Sequence, residues 1–112
     1  MNAEVAGCSI DSHFVHKAWV QSGVLAGGVK KLDYPLIADL TKNIARDYGV
    51  LKEDLGATFR GTFLIDPDGV VQQYSINGLG VGRDTNEILR ELAGLQMGKP
   101  CPVNWKKGDA TL

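Results

Sequence analysis

The sequence predicts an α/β layer protein in which helices pack on a mixed sheet. Three observations predict it. Strand-like and helix-like segments follow one another in the order β-α-(β)-α-β-β-α. Two runs rich in β-branched and aromatic residues, Phe59–Ile65 and Val70–Ile76, flank Asp66-Pro-Asp-Gly69, where Pro presets φ and Gly accepts φ > 0. Glycine supplies 14 of the 112 residues, well above the usual share of ~7%, so tight turns and short elements are expected.

Glu4–Ile10 is short and mostly apolar, which reads as a buried strand. Asp11 and Ser12 can cap a helix over about 12–22, with Val15, Ala18 and Trp19 as its inward stripe and Gly23 as its stop. Gly27-Gly-Val-Lys-Lys31 is a loop, and Pro35–Ala38 an extended segment or short strand. Asp39 can cap a second helix over about 40–48, with Leu40, Ile44 and Tyr48 on one face and Gly49 ending it. The hairpin over 59–76 is the best-defined unit. Asp84-Thr-Asn-Glu87 resembles a capping box with Asp in the first position, and Ile88, Leu89, Leu92 and Leu95 follow at helical core spacing. Gly98 and Pro100 stop that helix, leaving a Pro/Lys/Gly tail over 99–112 that holds Cys101 and Trp105. The expected organisation is one domain body over 1–98 and a tail over 99–112.

Composition narrows the function classes. The net charge is −1, so no electrostatic field points to nucleic acid or an anionic membrane. No apolar run approaches the roughly 18 residues of a spanning helix, and no charged leader precedes an apolar segment. The expectation is a soluble, cytoplasmic chain with neither nucleic acid nor membrane as partner. Cys8 and Cys101 are too few for a disulfide scaffold. With His13 and His16 they match no familiar zinc spacing, so no metal and no cofactor are expected. Gly78-x-Gly80-x-Gly82 lacks the third glycine of a dinucleotide fingerprint, since Arg83 stands there, and a plain turn is the better reading.

Three side chains carry candidate chemistry. Arg60 sits in a strand among Phe59, Thr62, Phe63 and Leu64. It is either an outward strand arginine or a clamp for an anionic or polar substrate, because guanidinium offers a fixed fork of donors that stays charged. Arg83 precedes the last helix and reads on its own as a solvated loop charge. Cys101 lies between Pro100 and Pro102 in an accessible tail, with Lys99, Lys106 and Lys107 nearby to favour the thiolate. Cys8, in an apparent core strand, reads as an inert small hydrophobe.

The runs NAEVAGCSIDSHFVHKAW, PLIADLTKNIARDYGVLKEDLGATFRGTFLIDPDGV, INGLGVGRD and CPVNWKKGDATL resemble the typical two-cysteine peroxiredoxins. The likeness is greatest to the bacterial peroxiredoxins of the alkyl hydroperoxide reductase type. It covers essentially the whole chain, in register. The resemblance implies a three-layer, thioredoxin-like fold and the reduction of hydrogen peroxide and organic hydroperoxides. In that family a peroxidatic thiolate attacks the O–O bond and becomes a sulfenic acid. A resolving thiol from the partner subunit's tail then forms a disulfide, which thioredoxin or a flavoprotein disulfide reductase reduces. Cys101 matches the resolving position, Arg60 the arginine that hydrogen-bonds the peroxide, and Arg83 a second arginine near it. The implied assembly is a homodimer or higher oligomer joined by an interchain disulfide.

The sequence also departs from the family pattern. It contains no Pro-x-x-x-Thr-x-x-Cys motif, where the peroxidatic cysteine resides, and it begins about where the family's second helix ends. It therefore resembles the C-terminal portion, an incomplete fold lacking the N-terminal strands and helices. Gly27-Gly-Val-Lys30 replaces Gly-Gly-Leu-Gly, and no Tyr-Phe tail follows, features of members whose disulfide forms before overoxidation. The resemblance places a missing strand between 4–10 and 59–65, which predicts a chain that is marginally stable, aggregates or repacks. Two functional readings stand: part of a thiol peroxidase inactive by itself, or a non-enzymatic dimerisation or thiol-decoy module associating with a full-length peroxiredoxin.

Overall fold

A computed structural model describes residues 2–22 and 32–112; the expected loop over 27–31, with its Gly-Gly-Val-Lys motif, lies outside the described residues. The chain forms two compact units, 1–58 and 59–112.

In the first unit, β1 (Gly7–Ser9) runs parallel to β2 (Leu36–Ala38), with Cys8 opposite Ile37. The strands lie close at Gly7, where an added Cβ would stand 2.7 Å from Leu36 Cδ2. The amide of Asp39 continues the ladder, donating to the Ser9 carbonyl at 2.8 Å. Helix α1 (His13–Ser22) opens at Ser12, whose hydroxyl accepts from the Val15 amide at 3.2 Å.

The inward face of α1 differs from the expected stripe. Val15, Ala18 and Trp19 are exposed, and His16 is the buried residue. Its Nε2 shares a 2.5 Å hydrogen bond with Ser9 Oγ at the end of β1, and this polar tie orients the helix. The expected second helix is also shorter, α2 (Asn43–Asp47), because Lys42 takes a left-handed conformation at φ 65° and holds Leu40–Thr41 outside it. Ala45 is buried in α2, whereas Leu40, Ile44 and Tyr48 are exposed. Asp39 still caps the helix, with its carboxylate accepting from the amides of Ile44 (3.1 Å) and Ala45 (2.7 Å). A small antiparallel pair, β3 (Leu51–Lys52) and β4 (Ala57–Thr58), was not legible in the sequence.

In the second unit, β5 (Arg60–Ile65) and β6 (Val71–Asn77) form the expected hairpin. Its turn is built by Asp66, whose carboxylate accepts from the amides of Asp68 and Val70, both at 2.9 Å, and from Gln72 Nε2 at 2.8 Å. These N–H donors, Val70 first, hold the Asp66 carboxyl below the usual carboxylate range. Gly69 takes φ 81°, as the turn requires. Helix α3 (Thr85–Met97) begins at Asp84, which accepts from Asn86 and Glu87 amides, and ends at Gly98 in the left-handed conformation.

The segment after α3 is folded rather than trailing. Trp105 is only 1% exposed, the most buried large side chain among the described residues. Its indole N–H donates to the Asp109 carbonyl at 3.1 Å, and Leu112 N closes back on the Pro100 carbonyl at 2.9 Å.

Candidate functional site

Side chains alternate across a strand, so Arg60, Thr62 and Leu64 share one face of β5. The register places Asn77, Ser75 and Gln73 opposite them on the same face. Two side-chain contacts then bring Arg83 to this face. Asn77 Nδ2 donates to the Gly82 carbonyl at 3.1 Å, tying down the loop before Arg83. Arg83 itself donates through Nε to Thr62 Oγ1 at 2.8 Å and through Nη2 to the Gly61 carbonyl at 2.9 Å. The second arginine, although exposed, is thus tied to the strand that bears the first.

Arg60 is exposed, and no side-chain or backbone acceptor among the described residues engages its guanidinium. Its five N–H donors remain free for a ligand. One open guanidinium beside one that is held in place makes a positively charged, donor-rich surface. Such a surface suits an oxygen-rich, polarisable group on which negative charge develops. Thr62 and Asn77, which hold Arg83 there, carry no functional signal of their own in the sequence, although period-two alternation from Arg60 marks Thr62.

Cys101 belongs to a different neighbourhood. It is half-buried, and its thiol donates weakly to the Lys99 carbonyl at 3.4 Å. Its sulfur lies 3.9 Å from where a Cβ on Gly94 of α3 would stand, and the Trp105 ring passes the same point at 3.7 Å. The expectation of a simply accessible tail thiol is therefore corrected, because the tail is folded against α3 and the sulfur is nested with it. One turn before Gly94, Arg90 pairs with Glu87 through two hydrogen bonds of 2.7 Å and donates Nη1 to the Trp105 carbonyl at 3.0 Å. Hydrogen bonding to Arg90 pulls the Glu87 carboxyl below its usual range, whereas partial burial, then Glu87, pushes Glu91 up.

Cys8 is exposed, against the expectation of a core strand residue. β1 is three residues long and, among the described residues, has one strand neighbour, β2, which leaves the Cys8 side chain exposed. Partial shielding of the sulfur, then the nearby Asp39 carboxylate, push the Cys8 thiol up, which disfavours the reactive thiolate. No group of three or more His, Cys, Asp or Glu among the described residues could hold a metal ion, and no helix there is long and apolar enough to cross a membrane.

The sequence pattern of the AhpC/TSA family matches residues 1–74. The chain belongs to the AhpC/TSA family. It is 47% identical over 116 aligned positions to a chloroplastic 2-Cys peroxiredoxin of Spinacia oleracea, a match covering all of this chain and 44% of that protein. It is 50% identical over 109 positions to a mitochondrial thioredoxin-dependent peroxide reductase of Drosophila melanogaster, covering 94% of this chain and 47% of the relative. The reduced 2-Cys peroxiredoxin of Plasmodium vivax superposes with a TM-score of 0.86 at 40% identity, covering 97% of this chain and 58% of that one. The relatives of this AhpC/TSA chain are thus peroxiredoxins, and its α/β architecture is part of their thioredoxin-like fold. The chain spans about half the length of the curated relatives it matches.

Proposed function

We propose that this chain contributes to a thiol-dependent peroxidase reaction by supplying the resolving thiol, Cys101, and a peroxide-binding arginine pair, Arg60 and Arg83. The attacking thiolate comes from sequence outside these 112 residues. The observation that supports the reading most directly is the pair of hydrogen bonds from Arg83 to Thr62 Oγ1 and the Gly61 carbonyl. They fix a second guanidinium on the face that carries the open donors of Arg60.

The chemistry follows from those groups. A cysteine thiolate attacks one peroxide oxygen, the O–O bond breaks, and the second oxygen leaves as water or an alcohol after taking a proton. Guanidinium donors stabilise the negative charge that grows on the leaving oxygen and favour the thiolate over the thiol. The product is a sulfenic acid. Cys101, as thiolate, then attacks that sulfur; an S–S bond forms, the S–O bond breaks, and the oxygen departs as water. A dithiol reductant, thioredoxin or a flavoprotein disulfide reductase, returns both sulfurs to thiols. Cys8 is given no role in this scheme; burial and Asp39 push its thiol up, away from the reactive thiolate.

Two measurements test this. With thioredoxin and its reductase, the chain alone is expected to consume no peroxide. Mixed with an oxidised full-length relative whose own resolving cysteine is Ser, it is expected to form a mixed disulfide that survives Cys8→Ser and disappears in Cys101→Ser. Turnover by the chain alone, or capture through Cys8, overturns the assignment.

A further inference from the structure

The contacts that hold the tail on α3 converge on one residue that the proposed chemistry does not use. Arg90 offers three edges, and each has a defined job. Nε and Nη2 form the fork to Glu87, which fixes the guanidinium plane, and Nη1 reaches the Trp105 carbonyl. Trp105 is the buried anchor of the tail, stapled to Asp109 by its indole N–H, while Asp109 Oδ2 accepts from the Lys106 amide at 2.9 Å. Arg90 and Gly94 lie one helical turn apart on the same face of α3, and the Cys101 sulfur rests at Gly94 beside the indole ring. The same carbonyl–guanidinium contact therefore secures both the ring and the sulfur packed beside it.

We propose that Arg90 is a positioning residue for Cys101: braced by Glu87, it latches the tail at the Trp105 carbonyl and so sets how often the sulfur leaves its place against Gly94 and becomes open to reaction. The proposal rests on the reading of Cys101 as the resolving thiol. It adds that Arg90, through the Trp105 carbonyl, is the residue that holds this part of the tail in place. Arg90 makes no hydrogen bond to the sulfur, although its charge lies within electrostatic reach of it; the latch acts through the tail.

The test uses the full chain carrying Cys8→Ser, so that Cys101 is the one thiol present, and Trp19→Phe, so that fluorescence reports Trp105 alone. The probe is dithiodipyridine, a neutral disulfide. The Cys101 thiolate attacks one of its sulfurs, the probe's S–S bond breaks, and thiopyridone leaves and is read by its absorbance. Removing one charge-assisted hydrogen bond should raise the labelling rate of Arg90→Gln at least about tenfold. Trp105 emission should shift to the red in parallel, with α3 circular dichroism unchanged. Arg90→Lys keeps a donor but loses the fork, so it should fall between the two and partly restore the slow rate. Glu87→Gln, which leaves the tail untouched, should speed labelling about twofold by loosening the guanidinium.

Should Arg90→Gln not fold, Arg90→Lys and Glu87→Gln decide alone, and unchanged labelling in both overturns the latch. A slower rate in Arg90→Gln also overturns it, since that outcome makes Arg90 an aid to the thiolate rather than a brake. The two readings fail separately. Accelerated labelling with no capture of an oxidised relative by the parent chain removes the resolving role and leaves the latch. Capture with labelling unmoved by the variants does the reverse.

Discussion

Asp39 is the residue on which the first unit turns, and its removal gives the most decisive stability prediction. It is 4% exposed. Its amide donates to Ser9 on β1, its carbonyl accepts from Lys42 at 3.0 Å, and its two carboxylate oxygens accept from Ile44 and Ala45. In Asp39→Ala the backbone contacts can persist, but two helix N–H groups lose their acceptors, and the one on Ala45 is buried. Loss of a cap costs about 1–2 kcal/mol, and a buried N–H left without an acceptor adds about 1–3 kcal/mol. A combined loss of about 3 kcal/mol lowers Tm by more than about 10 °C in a unit of this size. Asp39→Asn keeps one acceptor oxygen and turns an amide donor toward the other N–H, so about half that loss is expected. The assay is thermal unfolding by circular dichroism, with alkylation of Cys8 measured across pH on the same samples in a Cys101→Ser background. Asp39 is the second cause of the raised Cys8 thiol, after shielding of the sulfur. Removing its charge should therefore move the pH of half-maximal alkylation downward rather than raise the rate uniformly. An Asp39→Ala chain that melts with the parent, with an unmoved Cys8 profile, would refute both parts of the reasoning.

Three other outcomes are expected. Asp66 has its carboxyl lowered in the fold, so its stabilising effect is complete above the ordinary value of ~3.9 and is lost as pH falls through the lower folded value. Amide exchange in the hairpin should rise in acid for the parent, whereas Asp66→Asn should lack that part of the acid dependence; parallel profiles would contradict the assignment. Thr62→Val removes the acceptor for Arg83 Nε–H, so the nitrogen-resolved NMR signal of that group should lose its protection from solvent exchange, while the hairpin amides stay protected. Finally, Phe14, Val15 and Trp19 on α1 and Tyr74 and Ile76 on β6 are all exposed, so light scattering should show association that grows with protein concentration and is relieved by mild urea.

The elements that were legible in the sequence carry their own local chemistry. The β5–β6 hairpin is written into Asp66-Pro-Asp-Gly69, because Asp66 and Gly69 make the turn without help from elsewhere. Helix α3 is written into Asp84 and Gly98 in the same way. The faces of α1 and α2 were not legible, since apolar spacing names a stripe but not whether anything covers it. In α1 a Ser9–His16 hydrogen bond decides the orientation, and in α2 the left-handed Lys42 moves the start. The pair β3–β4 offers two residues per strand, too few for alternation to register. At the site, Arg60 and Arg83 were marked by the resemblance, but the contacts that join them run through Thr62 and Asn77 across 21 residues of sequence and one strand register. Trp105 gives no sign in the sequence of being an anchor, because its neighbours Lys106, Lys107 and Gly108 read as solvated loop.

The place where α3 stops also sets a leash. Gly98 ends the helix in the left-handed conformation, and Cys101 follows three positions later. Three extended residues span at most roughly 10 Å, and everything beyond Cys101 adds nothing to that radius. Prolines on either side of the cysteine fix φ at ~−65° and stiffen the short tether further. Even with its strap undone, the sulfur can sweep only a small volume around the end of α3. In the resolving role proposed for Cys101, the partner sulfur would have to be carried into that volume, so docking rather than a long search would set their meeting.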